Sequence, residues 1–223
     1  MQTFATAVTA SRIPAAVVMR GTANLPQVGG TRQTFARDEE LFAEGDKAEF
    51  FYKVVSGTVR VCKILSDGRR QIESFHFSGD LFGMESTEEH RFTAEAVDDV
   101  VVEAYRRSRF SNALRDDPAF GNLLMNSILT SLERAQEHMV LLGRKTAHEK
   151  LATFLLDMAK RLNRTDCVPL PMQRTDIADH LGLTIETVSR TLTQMVREGS
   201  IKLAAAGRTI ILSDRAALEQ LEA

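Results

Sequence analysis

Glu186, Ser189 and Arg190 stand at i, i+3 and i+4, so a helix running through them turns all three to one side. An arginine can donate two parallel hydrogen bonds to a guanine, a glutamate accepts from the cytosine amino group, and a serine serves either role. The chemistry these residues support is the reading of base edges in the major groove of DNA, not the making or breaking of bonds. Glu186 and Arg190 at i, i+4 also fit an ordinary surface ion pair, so the elements around them must decide. Elsewhere the chain offers no nucleophile–base pair, no glycine-rich phosphate loop and no metal triad. The five histidines, His76, His90, His138, His148 and His180, lack metal-ligand spacing. No catalytic residue and no metal ligand is assigned, and an enzyme is not expected.

The flanking residues fit a helix–turn–helix. Thr175 is expected to cap a first helix, with Asp176 in its first turn where the helix dipole favours a negative charge. Ala178 sits where two helices must approach closely, Gly182 allows a sharp turn, Thr184 caps the next helix, and Val188 and Leu192 bury its inner face. The candidate DNA-binding residues are therefore Arg174, Thr175, Thr184, Glu186, Thr187, Ser189 and Arg190. Downstream, Ile201-Lys202-Leu203, a turn at Ala206-Gly207-Arg208 and Thr209-Ile210-Ile211-Leu212 predict a small hairpin, which would form a wing. Upstream, Ala147 to Leu162 reads as a helix with Leu151, Phe154, Leu155, Met158 and Leu162 on one face. A polar, proline-bearing break follows from Asn163 to Pro171.

The N-terminal half has another texture. From Phe35 to Tyr105 short β-type runs are punctuated by glycine, as in Thr58 to Ile64 and Gln71 to Phe77 on either side of Ser66-Asp67-Gly68. Such spacing predicts an antiparallel sandwich or barrel. After Pro118 the period becomes helical. Leu124, Ile128, Leu132, Ala135, Met139 and Leu142 form one apolar stripe that runs to Gly143. A seam of that length suits pairing with a second copy, and it also suits packing on the β domain.

Net charge is −2 over 223 residues, but the balance is uneven. Residues 31–143 hold 14 Lys and Arg against 20 Asp and Glu, whereas residues 144–212 hold 11 against 7. The basic half suits a polyanion. No apolar run is long enough to span a membrane, and Ala15 to Met19, short and flanked by Arg12 and Arg20, is not expected to be a leader. Two cysteines, Cys62 and Cys167, are too few for a disulfide framework, so the expected location is a reducing cytoplasm. Cys62 lies on a predicted strand. Cys167 lies in the polar break and is the candidate redox thiol.

Over nearly its whole length the chain resembles a transcription regulator of the Crp/Fnr superfamily. Leu41 to Gly83, with Gly45, Gly57, Gly68, Gly79 and Gly83, resembles the cyclic-nucleotide-binding β-roll. Glu186-Thr-Val-Ser-Arg190 matches the Fnr side, since the Crp side has glycine where Ser189 stands. Gly79-Asp-Leu-Phe-Gly-Met-Glu followed by Glu89-His-Arg-Phe-Thr-Ala-Glu-Ala96 is most similar to the FixK-type branch. The resemblance implies an α+β chain. Its parts would be an arm at 1–30, a β-roll at 31–116, a dimerisation helix at 117–143 and a winged helix–turn–helix at 144–223. It implies double-stranded DNA, a second copy and RNA polymerase as partners, with no membrane. The function implied is an activator, in nitrogen-fixation and low-oxygen gene control, acting on a TTGA-N6-TCAA palindrome.

The effector pocket departs from that pattern. Nucleotide-binding relatives use a Gly-Glu pair and an Arg-Ser/Thr pair; here Met84 follows Gly83, Glu85 is one place late, and His90-Arg91-Phe92 replaces the second pair. Residues 1–30 lack the cysteines that would ligate an iron–sulfur cluster. No cofactor is expected. A ligand-gated receptor with the same reader is the alternative, and a regulatory subunit without DNA is a further one.

Overall fold

The protein is described by a computed structural model covering residues 30–109, 118–204 and 208–222. The expected N-terminal arm therefore lies outside the described residues except for Gly30.

Two four-stranded antiparallel sheets make the N-terminal roll. One has the order β1-β8-β3-β6, from β1 (Thr31–Phe35), β3 (Phe50–Ser56), β6 (Leu81–Phe82) and β8 (Val100–Arg106). The other has the order β2-β7-β4-β5, from β2 (Glu40–Phe42), β4 (Val59–Ile64), β5 (Arg70–His76) and β7 (Thr93–Ala96). Inward-facing residues at alternate positions fill the space between them, among them Val54, Val59, Ala94, Ala96, Val100 and Val102, all essentially without solvent contact. Between β3 and β4 the chain turns at Gly57, where φ is +85° and a Cβ would stand 2.5 Å from the Asp99 carbonyl oxygen. Only glycine fits there.

Helix α1 (Pro118–Arg144) is 27 residues long, about 40 Å at the usual rise. Leu124 anchors its start on Phe51, Leu81 and Tyr105 of the roll. Helix α2 (Ala147–Arg161) begins at a capping box in which Thr146 and Glu149 each accept the other's backbone N–H. The polar break after α2 contains a short strand, β9 (Cys167–Pro169), that joins β10 (Ile201–Leu203) and β11 (Thr209–Leu212) in the order β10-β11-β9. Cys167 thus sits opposite Ile211 on a strand rather than in an irregular break, although its side chain remains exposed. A last helix, α5 (Arg215–Glu222), which the expected hairpin did not include, buries Leu218 and packs on α2.

The two halves share one core. Ile72, Phe75 and Phe77 on the outer side of β5 and its following turn join Leu151, Phe154, Leu155 and Ile177 in one apolar cluster. Asp80 joins the halves through ions: Arg161 bonds it at 2.8 Å and Arg134 approaches at 3.6 Å. Burial alone would push the Asp80 carboxyl up, but Arg161, His76 and the Phe77 N–H together hold it below the ordinary carboxylate range.

Candidate nucleic-acid interface

Helices α3 (Arg174–Leu181) and α4 (Ile185–Arg197) form the reader. Gly182 between them is left-handed, at φ 62° and ψ 41°, as a tight helix-to-helix turn requires. Thr184 caps α4 by accepting the Thr187 N–H at 3.2 Å. Val188, Leu192 and Met195 bury the inner face of α4, and Ala178 gives it a close seat on α3.

The start of α3 differs from expectation. Gln173, not Thr175, is the capping residue, and Thr175 already lies inside the helix with its side chain exposed. The physical reason is Asp176, whose Oδ2 reaches back and accepts the Gln173 N–H at 3.0 Å. That bond starts the helix earlier than a Thr175 cap would.

On the outer face of α4, Glu186 and Arg190 are exposed and Ser189 is half-buried. Among the described residues no ion pair joins Glu186 to Arg190, so both present free polar ends to solvent. Arg174, at the start of α3, donates through Nη1 to Ser189 Oγ at 3.3 Å. Arg174, Glu186, Ser189 and Arg190 therefore form one surface, with Thr184 and Thr187 engaged in the cap beside it. Exposed donors on the first turns of the second helix are what major-groove reading needs.

The long helix divides the predicted seam. Leu124 is only 2% exposed, spent on the roll, and Leu142 packs against the reader's core near Gly182. Ile128, Leu132, Ala135 and Met139 do face solvent. Met125, Leu129 and Val140, which the stripe omitted, extend that bare apolar face. The stripe misjudged its two ends because α1 begins and ends against other elements.

In the roll, the segment where nucleotide-binding relatives grip phosphate is filled by its own side chains. His90 is buried, stacked on Phe42 with ring centres 3.6 Å apart, and its Nδ1 lies 2.6 Å from Glu85 Oε2. Arg107 ties the same loop by donating to the carbonyls of Ala48, Thr87 and Glu85. Arg91 points to solvent. Behind the loop lies a cavity of about 350 Å³ bounded by the roll, α1 and α2, with Phe82, His76, His138 and Phe154 among its walls. Cys62 is buried in the roll, and burial, with Glu95 nearby, pushes its thiol up to about 11, so it stays protonated and inert. Among the described residues, no cluster of three or more His, Cys, Asp or Glu could hold a metal ion, and no helix is long and apolar enough to cross a membrane.

Known proteins align with both halves. The cyclic nucleotide-binding domain family matches residues 32–117, and the Crp-like helix-turn-helix domain family matches residues 149–221. The nitrogen fixation regulation protein FixK of Azorhizobium caulinodans is 48% identical over 198 residues, which cover 86% of this chain and 79% of the relative. FixK of Bradyrhizobium diazoefficiens is 43% identical, covering 87% of this chain and 83% of the relative. The solved structure of FixK2 from Bradyrhizobium japonicum superimposes with a TM-score of 0.82 at 45% identity, covering 87% of this chain and 98% of that one.

Proposed function

Because this chain belongs to the Crp/Fnr family of transcription regulators, and within it to the FixK type, we propose that it binds a TTGA-N6-TCAA palindrome as a homodimer with no bound effector. The observation that carries this reading is the free outer face of α4, where Glu186, Ser189 and Arg190 stand together and Arg174 braces the serine. The setting is the cytoplasm and the output is activation through RNA polymerase. The targets are genes of nitrogen fixation, as the relatives' names suggest, and of low-oxygen metabolism, as the family resemblance implies.

Independence from an effector rests on the filled loop. The Glu85–His90 pair and the Phe42 stack occupy polar and aromatic groups that a ligand would need, and Arg91 faces away. A ligand shifts an equilibrium only by its differential affinity for two states, so without ligand chemistry the resting state must already be competent. Control then falls to abundance and, as a further proposed route, to oxidation of the exposed Cys167. The test is a band shift on the palindrome with protein stripped of nucleotides and metals, with and without reductant. Binding by the stripped protein is the expected result. Binding that appears only after a metabolite is added removes this reading in favour of the second one, a ligand-gated receptor. The observation favouring that second reading is the cavity, lined by His76 and His138, whose buried Nδ1 and Nε2 respectively have no hydrogen-bond partner among the described residues.

Pairing through α1 would cover its bare face. Leu132 is 53% and Met139 68% exposed in the single chain, and a second copy of the helix would bury both. The two readers would then meet half-site centres about 34 Å apart, one helical turn. Leu132→Asp would desolvate a charge in that seam. Light scattering should find the variant monomeric at concentrations where the parent is a dimer, and an intact dimer would move the interface elsewhere.

A further inference from the structure

The reader is tied to the roll by a cluster of charges that the helix–turn–helix chemistry does not use. Arg60 on β4 and Arg70 on β5 both reach α3. Arg70 donates through Nη2 to Asp176 Oδ1 at 2.6 Å and through Nε to Asp179 Oδ2 at 2.8 Å. Arg60, itself buried, donates to Glu95 at 2.6 Å and Asp38 at 3.0 Å and lies 3.5 Å from Asp176 Oδ1. Neutral bonds flank the charged ones. Gln71 Nε2 donates to the His180 carbonyl at 3.2 Å, and His180 Nδ1 lies 3.1 Å from the Ile72 carbonyl oxygen, which can only accept. Lys150 on α2 closes the far end of α3 by donating to the Leu181 carbonyl at 3.0 Å.

We propose that Arg70 and Asp179, with Arg60 and Asp176 behind them, are positioning residues that hold the DNA reader in one pose on the roll and so set its tolerance for half-site spacing. The proposal rests on the palindrome reading above. Its logic is geometric. The first helix of such a reader crosses the DNA backbone, and bare carboxylates there would meet phosphates of the same sign. Here both carboxylates of α3 face the roll and are matched by guanidiniums. The arginines fix α3, and α3 carries α4 through the Ala178 contact, so the reading face inherits its direction from the roll. A reader held in that direction loses less freedom on meeting two half-sites than one that swings. The contact thus supplies what an effector supplies where one is bound: a fixed pose.

Arg70 and Asp179 are the better test pair because both side chains are partly open to solvent, at 23% and 30%, while Asp176 is buried and caps its helix. Asp179→Asn and Arg70→Gln should each weaken binding to the palindrome about ten-fold and flatten the preference for a six-base-pair spacer over five or seven. Binding to an isolated half-site at low salt should stay within roughly two-fold of the parent, since the reading face on α4 is untouched. The double variant should match either single one, and Arg70→Lys should recover most of the affinity. Unchanged affinity and spacer preference would discard the proposal. Equal losses on half-site and palindrome would also discard it, since that pattern means a damaged reader. Tighter binding would reverse it, making the contact a restraint. Should the parent need a metabolite to bind, the effector-free reading falls; the same comparisons made with that metabolite present still decide the positioning role.

Discussion

Arg190→Ala is expected to cost about 1–3 kcal/mol at each half-site, and about twice that for a dimer engaging both. The guanidinium has no partner among the described residues, so its removal leaves α4 and its core untouched. The loss should be specific. Binding selection from random sequence should return sites in which the guanine of TTGA is no longer preferred, while the neighbouring positions keep their preference. A uniform loss across all sequences would reassign Arg190 to a phosphate, and an unchanged guanine preference would remove it from base reading altogether. Circular dichroism of the variant should match the parent.

The second large effect is acid instability. His180 is wedged between β5, α1 and α2, against Phe75, Phe154 and the His138 ring, and burial pulls it down to about 3, helped by His138 and Arg161. Burial likewise pulls His76 down to about 4, with Arg161 and Arg134 adding to the effect and Asp80 opposing it. An unfolded chain takes up these protons near pH 6.5, whereas the fold refuses them until far lower pH. Stability therefore rises with pH below about 6.5 and is lost as pH falls through that value. At pH 5 each histidine costs about 2 kcal/mol, and the two together cost a large part of a typical domain's stability. Glu73, which burial pushes up, works in the opposite direction. Urea unfolding at pH 7.5 and pH 5 should show the drop, and His180→Gln, which keeps a donor for the Ile72 carbonyl, should lower the slope by about one proton. Equal midpoints at both pH values would contradict the burial argument.

Local chemistry was readable where one segment carries its own signal. The Gly182 turn, the Thr184 cap and the Val188–Leu192 face all follow from neighbours within a few residues, and the structure has them. Strand β9 escaped because three residues with one buried side chain, Val168, show no period. Helix α5 carries a local signal in the residues themselves: Asp214 accepts the Ala217 N–H, and Leu218 and Leu221 are spaced for one face. Leu124 and Leu142 show the limit of periodicity, which gives the face of a helix but not what covers each part of it. The charged contact between the halves was invisible for a different reason. Asp176 lies 116 residues from Arg60 and 106 from Arg70, and no local pattern joins partners so far apart.

Asp176 has few substitutes. Its Oδ2 accepts from the Gln173 backbone while its Oδ1 accepts from arginines, so both oxygens face donors at once. Asparagine has one accepting oxygen and one amino group that only donates, and whichever way it turns one donor faces another. Glutamate sets its carboxylate one methylene further out, too far for the short backward reach that starts α3. Alanine leaves the Gln173 N–H without its acceptor and takes from Arg60 and Arg70 the carboxylate they share. Among natural lineages this site should resist drift even where the surface around it varies. Among the described residues Asp179 bonds only Arg70, so spacing tolerance can change there by a single substitution without loosening the helix. The fold thus separates a position that evolution must keep from one that it can adjust.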